Sequence, residues 1–472
     1  MAIIKTNAPE IENELNDEIR LFFPYDDCPE TVEHSCKTEG DVVRNSVRIG
    51  DKTYEFSATI AGKDGSAVLE RKRLFKRACK KAVYDALADF TKINPPWGSL
   101  TGIRPSKLVY DMLAEWVDLS DCPRELENTF GVSEKKANLI CDIVKNQRGY
   151  YRRDQREFNL YIHIPFCTSK CRYCSFTTET VARCKNLIPE YVRLLRRDIE
   201  ETVAFIEANG NLLSVYVGGG TPTALSANDL TFLLDGLGGY GVEFTVEAGR
   251  PDTITAEKLD AIKRAGATRI CVNPQTFNDE TLKKIGRAHT RADFLEKYEL
   301  ARGYGFDINV DLIAGLEDET LDDFSASLNG TIGLAPQNIT VHTLSRKNGS
   351  ELKQSGRFDN REIEKMTDFA FGRLTESGYV PYYLYRQKQM LGNLENVGYC
   401  LGGKQCLNNV TTMEDCTSVL ACGAGAIEKA VDISRNRIER FANMRDVRLY
   451  IANFEEKMSA KRNFRLKQFT KA

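Results

Sequence analysis

The sequence predicts an α/β protein, a parallel sheet with helical crossovers, preceded by an α+β unit and followed by a C-terminal extension. Two observations predict it. From Leu160 onward, short β-rich runs (LYIHI, LSVYVG, EFTVEA, RICVN, DINVDLI and NITVHTL) alternate with amphipathic stretches over 189–208, 226–237, 255–265, 291–304 and 320–334. Strand and helix in strict alternation require parallel strands, because each crossover returns the chain to the same end of the sheet. Six such units suit a partial barrel or an open doubly wound sheet, and periodicity does not separate the two. In both, functional groups gather at the C-terminal ends of the strands.

The flanks differ in composition. Residues 1–150 combine the strand-like VVRNSVRI and TYEFSATI with the helix-like ERKRLFKRACKKAVYDALADF and a helical pair near 106–116 and 132–147. This predicts an N-terminal α+β domain. Residues 151–345 carry the alternating pattern. Over 346–472 the alternation gives way to a helix at 361–377, an aromatic YVPYYLYR, a glycine-rich LACGAGA and a basic tail, expected to cover the substrate. No internal repeat of fixed period interrupts the chain.

Charge selects no partner. The 472 residues hold 65 Lys plus Arg against 67 Asp plus Glu, a net charge of −2, so no global field favours nucleic acid or an anionic membrane. No run approaches the ~18 apolar residues of a membrane span, and MAIIKTNAPEIENEL lacks the apolar core of a signal peptide. The expectation is a cytoplasmic protein without a membrane span. Fourteen cysteines spread over so charged a chain read as free thiols. Cys79 and Cys141 in helix-like stretches and Cys271 in a strand-like one are expected to pack as small hydrophobes.

Three cysteines stand apart. In YIHIPFCTSKCRYCSF, Cys167, Cys171 and Cys174 follow the first strand of the alternating region in a C-x3-C-x2-C spacing, which lets one loop wrap a compact metal centre. Three readings compete: unligated thiols, a four-ligand zinc site completed by His163 or Cys184, and an iron–sulfur cluster held by three thiolates with one iron open. Other strand ends carry polar groups. Gly218, Gly219 and Gly220 follow the second strand, where a backbone without Cβ atoms can approach a ligand. Glu247, Gln275 and Asp311 end or follow later apolar strands, a normal way to converge on a cofactor. Tyr161 and His163 share one face of the first strand by its period of two.

The cysteine loop, with YVGGGTPTAL, FTVEAGRPD, VNPQTFNDETLKKIGR and NVDLIAGLEDET in that order, resembles the radical S-adenosylmethionine (SAM) superfamily. Within it, these motifs are similar to the oxygen-independent coproporphyrinogen dehydrogenase group, which includes HemN, HemW and HemZ. WGSLTGIRPSKL and PYYLYRQKQMLGNLENVGY resemble the HemZ branch. The resemblance implies a partial (β/α)6 radical SAM barrel. It also implies a 4Fe-4S cluster on Cys167, Cys171 and Cys174 with one open iron, chelated by the amino and carboxylate groups of S-adenosyl-L-methionine. Gly219, Gly220, Thr221, Glu247, Gln275, Arg287 and Asp311 match SAM-contacting positions, and Tyr161 is expected near the reacting centre.

The implied reaction is removal of hydrogen from the propionates of coproporphyrinogen III by a deoxyadenosyl radical, with loss of carbon dioxide and formation of vinyl groups. An electron donor such as flavodoxin or ferredoxin would serve it. A heme chaperone like HemW, or a radical enzyme acting on another tetrapyrrole, is the alternative. Phe176 stands where HemN-type enzymes have a further cysteine, a departure shared with HemW-like and HemZ-like proteins. Cys400, Cys406, Cys416 and Cys422 have gaps too wide for a second cluster loop and are expected to be structural. Arg386 and Lys388 beside Tyr382, Tyr383 and Tyr385 suit a flat anionic macrocycle or an ordinary edge strand. The GAGA of 423–426 suits a ligand loop or a packing turn.

Overall fold

A computed structural model describes residues 4–23, 28–61, 67–102, 104–176, 178–345, 350–351, 360–387 and 390–469. Lys388 lies outside the described residues. The chain divides into two compact units, Met1–Cys141 with Arg386–Leu394, and Asp142–Tyr385 with Glu395–Ala472.

In the first unit, β1 (Lys5–Thr6), α1 (Glu12–Phe22), β2 (Val32–Glu39), β3 (Val42–Ile49), β4 (Lys52–Thr59) and α2 (Ala67–Thr91) form an α+β layer pair. The sheet order is β1-β2-β3-β4, with β2, β3 and β4 an antiparallel meander. Along β3, Val43, Asn45, Val47 and Ile49 are buried while Val42, Arg44 and Arg48 face water, so one face of the sheet takes the helices. Where a helical pair is expected, three helices stand: α3 (Ser106–Ala114), α4 (Cys122–Phe130) and α5 (Glu134–Asn146). The extra one is a short helix with Pro123 in its first turn, closed by Gly131 at φ 70°.

The second unit opens with β5 (Glu157–Ile164), β6 (Phe166–Cys167), β7 (Glu179–Thr180), α6 (Val181–Cys184) and α7 (Ile188–Asn209). The alternation continues through β8 (Asn211–Gly219), α8 (Ala227–Leu234), β9 (Glu243–Glu247), α9 (Ala256–Arg264) and β10 (Arg269–Cys271). After α10 (Asp279–Lys284) and α11 (Arg291–Gly303) come β11 (Asp307–Ala314), α12 (Leu321–Gly333) and β12 (Asn338–Thr343). Reciprocal capping boxes begin three of these helices, Ser226 with Asp229, Thr290 with Asp293 and Thr320 with Asp323.

Strands β5, β8, β9, β10, β11 and β12 lie side by side in chain order, parallel at every junction. A doubly wound sheet reverses its strand order at a switch point, and these six consecutive strands do not. The fold is therefore the partial β/α barrel of the two expected alternatives. Its core joins the inner strands to α7, α8, α9 and α11 through residues such as Leu160, Ile162, Leu195, Val215, Leu230 and Phe294.

The C-terminal region extends both edges of this sheet. After α13 (Asn360–Glu376), β13 (Val380–Tyr385) and β14 (Asn396–Cys400) form an antiparallel pair beside β12. Beyond α14 (Leu407–Met413), β15 (Ser418–Cys422) pairs parallel with β5, followed by the hairpin of β16 (Ile427–Asp432) and β17 (Arg437–Ala442). Finally α15 (Val447–Ala452) and α16 (Phe454–Phe469) pack back on α7. Lys461 of α16 donates to Asp198 Oδ1 of α7 at 2.5 Å, both fully buried, and Arg465 pairs with the buried Glu428 of β16. No helix among the described residues is long and apolar enough to cross a membrane.

Candidate active site

Alternation along β5 turns Leu160, Ile162 and Ile164 into the core, and Tyr161 and His163 to the opposite face. The Tyr161 ring lies 6.0 Å from His163 and 6.2 Å from Tyr216, its partner across β8. Pro165 then leads the chain into the cysteine loop. Cys174 N donates to Cys171 O at 3.0 Å, while Arg172 ties the loop to the turn after α10 through its backbone N to Ile285 O and its Nη1 to Lys284 O, each 3.0 Å. Cys171 is buried, and Cys167 and Cys174 are half-buried.

An arginine outside the expected set braces this loop. Arg250 donates from Nη1 to Ser169 O at 3.1 Å and to Cys171 Sγ at 3.5 Å. Asp252 holds it by two bonds of 3.1 and 3.2 Å, and Thr168 Oγ1 donates to Asp252 at 3.0 Å. The only sequence signal for it was its place in EAGRPD, three residues after Glu247. Arg287 approaches from the other side. It is buried, donates to Gly249 O at 2.7 Å and to Asn273 O, and neighbours Cys171 and Tyr173. Its Nε is without a partner among the described residues. Burial pushes the Cys167 thiol up, while Thr221 Oγ1, 3.4 Å from its Sγ, works against that.

The three glycines at the end of β8 each answer a close contact. A Cβ on Gly218 would stand 2.9 Å from Glu247 Oε2, on Gly219 2.4 Å from His163 Cδ2, and on Gly220 2.5 Å from Phe166 O. Gly219 also has φ +108°. Packing alone thus demands glycine here, and the same bareness leaves backbone beside the cysteine loop.

The two carboxylates line one cavity of about 200 Å³ with Tyr216, Cys271, His342 and Tyr385. Tyr216 OH donates to Glu247 Oε1 at 2.6 Å. Burial raises Glu247 to about 7, with the Asp311 charge adding to the rise. Asp311 accepts from Asn273 Nδ2 and Asn309 Nδ2, both at 2.7 Å, and His342 Nε2 lies 3.5 Å away. Gln275 takes φ +71°, costly for a residue with a Cβ. Two hydrogen bonds to β11 hold it there: its N donates to Asp311 O at 3.1 Å, and Ile313 N donates to its O at 2.9 Å. Asn273, Asn309, His342 and Tyr216 joined the site without a sequence signal beyond their strand positions.

Other expected groups are committed elsewhere. Arg386 is buried within the first unit, 4.9 Å over the Trp97 ring and bonded to Leu100 O and Asn393. Tyr382 and Tyr383 are buried, not a flat exposed surface. In the GAGA turn, the backbone donors are used internally: Gly423 N to Asp198 Oδ2 and Ala424 N to Tyr191 OH, both 3.1 Å, and Gly425 N to Met444 O at 2.7 Å. It is a packing turn. Cys400, Cys406, Cys416 and Cys422 are all buried free thiols, Cys406 donating to Glu243 and Cys422 to Thr202, each at 3.2 Å.

Sequential parallel strands with a three-thiol loop behind the first define a partial β/α barrel built to present that loop at its strand ends. Residues 161–329 match the radical SAM superfamily. The oxygen-independent coproporphyrinogen-III oxidase-like protein HemZ of Bacillus subtilis is 37% identical over 408 residues, covering 82% of this chain and 81% of HemZ. The heme chaperone HemW of Escherichia coli is 31% identical over 260 residues, 53% of this chain and 65% of that protein. Among solved structures, the coproporphyrinogen III oxidase HemN of Escherichia coli superposes with a TM-score of 0.53 at 21% identity, covering 65% of this chain and 71% of HemN. The chain belongs to the radical SAM superfamily, in its family of HemN-, HemW- and HemZ-like proteins.

Proposed function

We propose that the protein is a radical SAM enzyme acting on a tetrapyrrole, and that its reaction is oxidative decarboxylation of two coproporphyrinogen III propionates to vinyl groups. The observation that carries the first half is the three-thiol loop at the C-terminal end of the first of six sequential strands, with two half-buried carboxylates, Glu247 at the end of β9 and Asp311 within β11, lining one cavity. The second half rests on similarity to HemZ along most of both chains.

The donor set fits a cluster better than zinc. A single zinc ion gathers its thiolates to roughly 3.8 Å of one another. Among the described residues, no group including Cys167, Cys171 and Cys174 brings its ligand atoms within 4.8 Å. A cluster places each thiolate on a different iron and takes them further apart. Cys184 is buried in the core, away from that role, and His163 is packed against Gly219 and Gly425.

In this reading Cys167, Cys171 and Cys174 would hold the cluster, and Arg250 and Arg287 would offset the negative charge around Cys171. The backbone of Gly219 and Gly220 with Thr221, and the side chains of Glu247, Gln275, Arg287 and Asp311, hold SAM, with Tyr161 beside them. When bound, cluster and SAM together supply abstraction of hydrogen from an unactivated carbon. The chain's task is to orient the groups and exclude water.

Glu247 gives a pH signature. Raised to about 7, its carboxyl is protonated below that value and ionised above it. A cationic ligand binds the ionised form better, so SAM affinity is expected to rise several-fold as pH passes upward through 7. Equilibrium dialysis one unit either side of that value checks it, and Glu247→Gln should flatten the dependence.

The function itself is tested by anaerobic reconstitution with reductant, SAM and coproporphyrinogen III, following all products by mass spectrometry. Successive loss of two carboxyl groups, in step with deoxyadenosine, is the expected result. Deoxyadenosine with an unchanged porphyrinogen moves the substrate to another tetrapyrrole. An assembled cluster with neither product favours heme handling, the second reading, which similarity to the heme chaperones supports.

A further inference from the structure

The first unit holds another group of soft ligands. His34 and Cys36 lie two residues apart on β2, so their side chains leave the same face of the strand, and Cys79 of α2 comes to meet them. A ring nitrogen of His34 and the Sγ atoms of Cys36 and Cys79 all lie within 4.8 Å of one another. Among the described residues no other group of three His, Cys, Asp or Glu side chains is gathered so closely.

The neighbours position each ligand. Asn45 pairs directly opposite Cys36 on β3, and its Oδ1 lies 3.0 Å from His34 Nε2. An amide oxygen only accepts, so Nε2 carries the ring proton and Nδ1 keeps its lone pair. The Thr6 hydroxyl, 2.9 Å away, donates to that lone pair and is an exchangeable partner. Such an outer hydrogen bond on the far nitrogen is how proteins orient a ligating imidazole. Asn7 grips the Cys36 backbone twice, accepting from Cys36 N and donating to Cys36 O, each at 2.9 Å. Finally, Asn45 Nδ2 is buried with no partner among the described residues. Opposite Cys36, it is a donor that a thiolate satisfies and an apolar core does not.

We infer that His34, Cys36 and Cys79 form a site for one zinc ion, separate from the cysteine loop, that clasps β2 to α2. Two thiolates and an imidazole are the ligand set for zinc and disfavour magnesium and calcium. Binding replaces two thiol protons with two sulfur–zinc bonds, releasing the protons to solvent, with no change of redox state. Cys36 is half-buried and Cys79 fully buried, so the fourth position opens on the Cys36 side.

The test uses the full chain carrying Cys167→Ala, Cys171→Ala and Cys174→Ala, which removes the other thiol centre. One zinc per chain should survive gel filtration and fall to none in Cys36→Ser or Cys79→Ser, while Cys28→Ser retains it. Cobalt in place of zinc should show thiolate-to-metal charge-transfer absorption, a readout from the unmutated site that needs no further variant to fold. The inference is overturned by absence of that absorption, by zinc that persists in Cys36→Ser, or by a Cys36–Cys79 disulfide in chain purified without air.

Discussion

Cys171→Ala is expected to yield a folded, colourless chain that forms no deoxyadenosine from SAM. Cys171 is the most deeply placed of the three thiols, and its sulfur is the one reached by Arg250. Alanine leaves two guanidiniums facing a methyl group, so nothing on that side of the loop can bind iron. The fold should survive, because Arg172 anchors the loop independently through Ile285 O and Lys284 O. Iron analysis, electron paramagnetic resonance and deoxyadenosine measured against circular dichroism separate loss of the cluster from loss of structure. A brown Cys171→Ala chain with undiminished SAM cleavage would remove the three-thiol centre from the account.

The second large effect is on stability. Lys461→Met is expected to cost about 3–5 kcal/mol in chemical denaturation, the usual result of leaving one member of a buried ion pair alone. Asp198 and Lys461 are both fully buried, and Asp198 also accepts from Tyr450 OH at 3.0 Å and Gly423 N at 3.1 Å. Burial pushes Asp198 upward, but Lys461 and then Arg465 outweigh it and hold the carboxyl below the usual range. A depressed carboxylate contributes stability above its unfolded value and loses it as pH falls through the folded one. The unmutated chain should therefore lose stability more steeply in acid than Lys461→Met does. A cost under about 1 kcal/mol would mean the pair is repaired by water or rotation.

Much of this was legible in advance because the governing signals are local. The six barrel strands and the helices at 189–208, 255–265, 291–304 and 320–334 were readable from the change of hydrophobic period, and the structure places them within a few residues. Barrel against open sheet was not, since strand order is a long-range property. The C-terminal strands hid for two reasons. SVLAC in β15 is an all-buried run too short to distinguish from a loop beside CGAGA, and β16 and β17 alternate charged residues on an edge hairpin. In the site, the cysteines stood out by spacing and Glu247 and Asp311 by polarity in apolar strands, although Asp311 lies within β11 and not at its end. Arg250 escaped because its partner, Cys171, lies 79 positions away, and only the fold brings them together.

The parallel pairing of β15 with β5 bears on how the protein is made. Strand β5 carries the cysteine loop at its end, yet its neighbour on one side, Ser418–Cys422, is synthesised only after all six barrel strands. Until that segment has emerged from the ribosome, that flank of β5 stays an open edge with unpaired backbone groups. The loop therefore reaches its final setting only once Ser418–Cys422 has been made and paired, and iron should enter after that step, not before it. A chain truncated before Ser418 is expected to be captured by chaperones and to carry no iron, even with all three thiols intact.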